Sequence, residues 1–129
     1  LLASPTAAAD APPKKPTIVY AKNFDEVVLD DTKHVWVEFF TYWCGHCVAM
    51  DPDWIKLAKD EDSSLPADVV IGQFNVELNA ENEALADKYG VTEYPALLLF
   101  KKGQKAKPVE YEGGRDRSRW LAFLKKETA

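Results

Sequence analysis

The sequence has few of the residues that hold small or metal-dependent folds together. Two cysteines, two histidines and one methionine occur among its 129 residues, and only two residues separate the cysteines. A disulfide between them closes a loop too short to join distant parts of a fold. A structural disulfide framework is therefore excluded, and the pair is either a redox motif or half of a zinc site.

Long apolar runs and an excess of positive charge are also missing. No segment approaches the eighteen or so uninterrupted apolar residues of a membrane-spanning helix, so we expect none. The formal net charge is −5, whereas nucleic-acid-binding proteins favour a basic face. The sequence has no glycine-rich phosphate-binding loop. We therefore expect no nucleic-acid partner and no nucleotide or other cofactor.

The apolar side chains that are present suffice for one core. Hydrophobic residues make up 47% and charged residues 29% of the chain, as in ordinary globular domains, and the length fits a single domain. Residues 1–16 are rich in proline and small side chains, and we expect a flexible segment, either a secretory-signal or propeptide remnant or a linker. Residues 17–129 form the predicted domain, which we expect to be a monomer.

Apolar patterning from Thr17 onward predicts strands that alternate with helices. The predicted strands are 18–20, 35–40, 69–74, 96–101 and 109–112, and the predicted helices are one that starts after Asn23, 44–60, 81–89 and 117–126. Asn23 is expected to cap the first helix, and Gly90 to end the third. The order βαβαβαββα implies an α/β domain with a central mixed β-sheet and helices on both faces.

The candidate chemistry centres on Cys44 and Cys47, which are separated by Gly45 and His46. Cys44 follows a buried strand at the point where a helix begins, so unpaired backbone N–H groups and the helix dipole favour its thiolate. Cys47 lies one turn later, close enough to attack a mixed disulfide formed at Cys44. His46 is expected to stabilise the reduced form further, which makes the disulfide a better oxidant; otherwise it is a solvated loop residue.

Zinc ligation is the alternative use of the cysteine pair. Cys44, His46 and Cys47 would supply three ligands, and tetrahedral zinc requires a fourth. The only other histidine, His34, begins a strand that is expected to run away from the site. We therefore predict no metal.

Glu38 is the next candidate, because it places a carboxylate inside the apolar run 35–40. An unpaired buried carboxylate costs several kcal/mol or becomes protonated with a raised pKa, and such groups often mark functional sites. Six residues before Cys44, Glu38 is expected to lie beneath the pair and to exchange the proton of Cys47, directly or through water. The alternative is a carboxylate that reaches solvent at the end of the strand.

Three segments together resemble the catalytic domain of protein disulfide isomerases, which has the thioredoxin fold. They are VEFFTYWCGHC at 37–47, YGVTEYP at 89–95 and YEGGR at 111–115. A lone CxxC motif is weakly specific, whereas three motifs in this order are specific. The resemblance extends from about Thr17 to Lys126 and implies a thioredoxin fold over that range.

The resemblance implies roles for further residues. Trp43 packs beside the redox pair, and Tyr42, which departs from the proline of many members, adds aromatic surface that alters substrate preference. Pro95 follows a cis peptide bond and faces the cysteines, while the backbone of Tyr94 pairs with an extended client segment. Arg115 swings toward the pair and favours the thiolate of the second cysteine during reoxidation; the alternative is a surface arginine at the start of a helix.

The expected function is therefore an enzyme that forms and rearranges disulfides in thiol- or disulfide-containing client proteins of the secretory pathway. Its expected location is the endoplasmic reticulum lumen or another part of that pathway, with glutathione or an oxidase as redox partner. One alternative is a thioredoxin-like reductase, against which His46 argues. The other is a module that binds clients through exposed aromatic residues with little turnover, against which the intact cysteine pair argues.

Overall fold

The computed structural model describes residues 13–129, so the predicted flexible segment at 1–16 lies largely outside the described residues. Within this part, five strands form one sheet: β1 (Thr17–Val19), β2 (His34–Phe40), β3 (Val69–Asn75), β4 (Ala96–Phe100) and β5 (Val109–Tyr111). Their order is β1-β3-β2-β4-β5. Strand β3 is parallel to β1 and β2, whereas β4 is antiparallel to β2 and β5. The sheet is therefore mixed, as predicted, with β2 at its centre.

Four α-helices complete the described domain: α1 (Phe24–Val27), α2 (Gly45–Lys59), α3 (Ala80–Lys88) and α4 (Arg117–Thr128). The predicted order of strands and helices is confirmed. None of the helices in residues 13–129 has the length and apolar character needed to cross a membrane.

Helices cover both faces of the sheet because successive side chains of β2 point to opposite sides. Val35, Val37 and Phe39 pack in a core cluster with residues of α1 and α3. Trp36 packs in a second cluster with residues of α2 and α4. Glu38 comes two residues after Trp36, so it faces the same side and lies under α2.

Three tryptophans at the centre of the second cluster hold α2 on the sheet. Trp36, Trp54 and Trp120 are fully buried. Ring centroids lie 5.1 Å apart for Trp36 and Trp54 and 5.1 Å apart for Trp54 and Trp120. Tilted and edge-to-face contacts of this kind add to the stabilisation from burial alone. The packing fixes the middle of α2 against β2.

The predictions for the helix boundaries at Gly90 and Asn23 have different outcomes. Gly90 ends α3 with a φ of 72°, as predicted. Asn23 occupies the predicted N-cap position of α1, but its side chain makes no capping hydrogen bond there. Asn23 instead ends a 3-10 turn, where its Oδ1 accepts from the Tyr20 N–H at 2.8 Å and its Nδ2 donates to the Ile18 carbonyl at 3.0 Å. Its polar groups thus serve the preceding strand–turn junction.

Lys105 joins three segments of the chain, and its removal is expected to destabilise the fold. Its Nζ donates to the carbonyls of Val28, Lys33 and Phe100 at 2.8, 2.6 and 3.1 Å. Lys105→Met keeps the apolar stem but leaves these carbonyls without their donor, so we expect a loss of about 3 kcal/mol. Urea unfolding measures it, with the exposed Lys107→Met as a control expected within about 0.5 kcal/mol of the parent protein. Equal stability of the two variants would contradict this structural role.

Candidate active site

The first turn of α2 carries the cysteine pair. Cys44 is the N-cap residue of α2, and its Sγ accepts a hydrogen bond from the backbone N–H of Cys47 at 3.1 Å. The two cysteines form a disulfide, with Cα atoms 5.2 Å apart. The donated N–H is one of the amides that a helix leaves free in its first turn. Such a donor favours negative charge on the Cys44 sulfur when the disulfide opens.

Glu38 lies beneath this turn and is only 1% exposed. Burial raises the pKa of its carboxyl from 4.5 to about 7; the hydrogen bond from Gln73 lowers the pKa, and the charge of Asp51 raises it. The Oε1 of Glu38 accepts from the Nε2 of Gln73 at 3.1 Å. A carboxyl that titrates near neutrality is suited to both taking and giving a proton. The burial excludes the alternative of a carboxylate that reaches solvent.

Glu38 and Cys47 line the same pocket, which has a volume of about 290 Å³. Of the two cysteines, Cys47 is the one that lines it, and Tyr42 and Val48 also contribute to its wall. Most of the pocket lining is apolar, but the pocket has room for a water molecule, and the Glu38 carboxyl offers it a polar partner. The pocket therefore offers a water-mediated route for a proton between the Cys47 sulfur and the Glu38 carboxyl.

Two polar residues of this pocket were missed by the sequence analysis. The amide of Gln73 that donates to Glu38 also donates to Oδ1 of Asp51, at 3.1 Å. Gln73 lies directly opposite Glu38 in the β2–β3 pairing and, like Glu38, is a polar residue inside an apolar run. Asp51 follows Cys47 by four residues, which puts both on one face of α2. Both signals were present in the sequence.

Aromatic side chains flank the disulfide. Tyr42 is 78% exposed and Trp43 is 67% exposed. The indole N–H of Trp43 donates to Oε1 of Glu77 at 2.8 Å, and its ring packs edge-on against Tyr94 with centroids 5.8 Å apart. The peptide bond between Tyr94 and Pro95 is cis, as the resemblance implies. The structure thus links the predicted client-binding residues by direct contact between Trp43 and Tyr94.

The remaining predicted site residues lie in two places. Gly45 and His46 are exposed in the first turn of α2. Arg115 lines a different pocket, of about 240 Å³, together with Pro95 and Glu93, and neither cysteine lines that pocket. The predicted movement of Arg115 toward the pair therefore stays a prediction.

Potential metal ligands are dispersed in the described part of the chain. His34 lies at the start of β2, where its Nδ1 accepts from the backbone N–H of Lys102 at 3.1 Å. Cys44 lies beyond the other end of that strand. Within residues 13–129, no three histidine, cysteine, aspartate or glutamate side chains are grouped as metal ligands.

Sequence comparison relates the chain to known proteins. Residues 15–126 match the family model described as Thioredoxin. The chain is 40% identical to Protein disulfide isomerase-like 2-1 of Oryza sativa subsp. japonica over 88% of its length, covering 30% of that protein. It is also 40% identical to Probable protein disulfide-isomerase A6 of Medicago sativa over 90% of its length, covering 30% of that protein. The chain thus spans less than a third of these curated relatives.

Solved structures with the same arrangement include thioredoxin f from spinach chloroplast. Its TM-score is 0.72 at 28% identity, with 98% of this chain and 97% of that chain covered. The first thioredoxin domain of mouse Protein disulfide-isomerase A4 has a TM-score of 0.71 at 25% identity, with 90% of this chain and 77% of that chain covered. These likenesses confirm the predicted fold class.

Proposed function

The chain belongs to the thioredoxin family, and from this premise we propose that it forms and rearranges disulfides in client proteins of the secretory pathway. Its Cys44–Cys47 pair is the redox-active pair of a thiol–disulfide oxidoreductase. One observation carries the proposal. Cys47 shares a pocket with a buried carboxyl whose pKa is about 7, while the Cys44 sulfur accepts a helix N–H.

Disulfide formation begins with a client thiolate that attacks the Cys44 sulfur. The Cys44–Cys47 bond breaks, Cys47 leaves with both electrons of that bond, and its thiolate takes a proton from Glu38. A second client thiolate then attacks the client sulfur of the mixed disulfide and releases the Cys44 thiolate. The client loses two electrons, and the cysteine pair gains them.

Rearrangement begins with the reduced cysteine pair, and here Cys44 is the attacking group. The Cys44 thiolate attacks a client disulfide and frees one client thiolate, which attacks another client disulfide. A client thiolate then attacks the mixed disulfide and releases the Cys44 thiolate. When no rearrangement follows, Glu38 takes the proton of Cys47, and the Cys47 thiolate attacks Cys44 to release the client. Cys47 therefore limits how long a client remains bound.

The client contacts are proposed for the exposed apolar surface around the pair. Tyr42, Trp43 and Val48 are each more than 60% exposed, so they offer area that a client side chain buries. The backbone before the cis Pro95 offers hydrogen bonds to an extended client segment, with Tyr94 held by Trp43. Exposed apolar residues grouped in this way typically mark binding sites.

The cysteine pair needs an oxidant after each disulfide that it makes. Glutathione disulfide or an oxidase protein supplies this by accepting the two electrons. Arg115, in the pocket beside Pro95, is proposed to approach Cys47 at this stage. Net oxidation of clients requires an oxidising compartment, which favours the endoplasmic reticulum lumen as the place of action.

The reduction potential of the Cys44–Cys47 pair tests the proposal. Trp43 fluorescence in graded glutathione buffers measures it, and Trp43→Phe gives the background from the three buried tryptophans. Protein disulfide isomerase lies at about −180 mV and thioredoxin at about −270 mV. We expect a value near the first. A value near the second would make the chain a reductase and contradict the proposal.

A further inference from the structure

Glu38 is one of two carboxylates held by a single amide group. The Nε2 of Gln73 donates to Oε1 of Glu38 and to Oδ1 of Asp51, each at 3.1 Å. The geometry points to a carboxylate pair, Glu38 and Asp51 bridged by Gln73, in which the charge of Asp51 holds on Glu38 the proton that is exchanged with Cys47. Asp51 and Gln73 are then positioning residues that act through Glu38. This inference rests on the proposed role of Glu38 in thiol–disulfide exchange.

The groups around the pair leave the repulsion between the two carboxylates uncompensated. The titratable groups that line the pocket are Glu38, Asp51, Cys47 and Tyr42. Strand β3 adds the neutral amide of Gln73, and β4 places the apolar Leu97 opposite Glu38. Within residues 13–129, no salt bridge joins Glu38 or Asp51 to a lysine, arginine or histidine. A proton on Glu38 relieves the repulsion between the two neighbouring carboxylates.

A glutamine suits a pair that carries one proton. Its amide nitrogen has two N–H donors, so it holds two carboxylate oxygens at once without adding charge. A cationic side chain at the same place would stabilise two ionised carboxylates and keep the proton off. Gln73 therefore sets the distance between the carboxylates, while the charge of Asp51 keeps the proton on the pair near neutral pH.

The two carboxylates differ in their access to solvent. Glu38 is 1% exposed, whereas Asp51 is half-buried. When Cys47 leaves as a thiolate, it takes the proton from Glu38, which regains one from solvent through the pocket. When Cys47 later gives its proton to Glu38, the carboxyl loses one by the same route. Protons balance in both directions without a further reactant.

The test follows the titration of the Glu38 carboxyl by ¹³C NMR in the oxidised full chain, where the disulfide-bonded cysteines do not titrate. Asp51→Asn removes the repelling charge, so the Glu38 midpoint is expected to move to lower pH. Gln73→Met removes the donated hydrogen bond, so the midpoint is expected to move to higher pH. Shifts of opposite sign support the bridged pair, and an unchanged midpoint in both variants overturns it.

Asp53→Asn is the matched control, because Asp53 is also half-buried on α2 but does not line the pocket. It removes the same charge two residues away. In this variant we expect the pH midpoint of the Glu38 titration to stay at the value of the parent protein. Equal shifts in the Asp51 and Asp53 variants would indicate a general charge effect and overturn the pair.

The second readout separates this inference from the proposed function. Stopped-flow fluorescence after mixing reduced protein with glutathione disulfide follows closure of the Cys44–Cys47 bond. With a pKa of about 7, Glu38 is about one-tenth ionised at pH 6, so Asp51→Asn is expected to speed closure there by up to about tenfold. Little change is expected at pH 8. If the Glu38 midpoint shifts but the pH dependence of the closure rate does not, Glu38 is not the base that deprotonates Cys47. If the Glu38 midpoint is unchanged, the inferred carboxylate pair is overturned and the proposed function is unaffected.

Discussion

Cys44→Ser is expected to abolish catalysed disulfide formation, lowering the rate by a factor of about 10³ or more. In the proposed mechanism the Cys44 sulfur is the atom that exchanges with clients, and a serine oxygen cannot form a disulfide. The Cys44 side chain also receives the N–H of Cys47, so the substitution preserves a hydrogen-bond acceptor at the start of α2. Refolding of a reduced multi-disulfide client in glutathione buffer measures the loss.

Cys47→Ser is the matched variant, because it removes the sulfur proposed to resolve the mixed disulfide and leaves the one proposed to attack the client. It is expected to accumulate a mixed disulfide with the client, visible on a non-reducing gel, whereas Cys44→Ser forms none. The reverse result would exchange the roles of the two cysteines. Client handling that survives Cys44→Ser unaltered would instead favour the binding-module alternative.

Glu38→Gln is expected to raise stability at alkaline pH. The pKa of Glu38 is raised from 4.5 to about 7 in the folded protein, so the folded state binds more protons than the unfolded state between these values. Stability therefore falls as pH rises through that range. Since one pKa unit corresponds to about 1.4 kcal/mol, the loss reaches about 3 kcal/mol above pH 7. Urea unfolding at pH 5 and pH 8 should show this loss in the parent protein and not in Glu38→Gln.

The same substitution is expected to slow disulfide exchange at pH 7 to 8, by the factor of about 10² to 10⁴ that general acid–base catalysis contributes. A neutral amide neither takes nor gives the proton of Cys47. Glu81→Gln, at an exposed position of α3, is the control and should match the parent protein in rate and in the loss of stability between pH 5 and pH 8. An unchanged exchange rate in Glu38→Gln would contradict the role of Glu38.

Much of the fold and the centre of the site can be predicted because they depend on local patterns. Apolar runs identify β2 and β3, since a strand buried on both faces needs apolar side chains throughout. Gly90 predicts the end of α3 because glycine readily adopts the positive φ found just after many helices, and it does so here. The burial of Glu38 follows from one carboxylate inside an apolar run, and the placement of Cys44 follows from a strand followed at once by a helix.

The partners of individual side chains cannot be predicted in the same way. Asn23 stands at a helix N-cap, yet its side chain bonds the backbone of the preceding turn and strand. Nothing local distinguishes Lys105 from the lysines around it. Gln73 bonds Asp51 from 22 positions away, and Lys105 bonds Val28 from 77 positions away. Such contacts depend on which strands pair and how a helix lies across them. Spacing along the chain therefore identifies the cysteine pair and the buried Glu38. The packing of α2 on the sheet is what brings the carboxylate of Asp51 to the same Gln73 amide as that of Glu38.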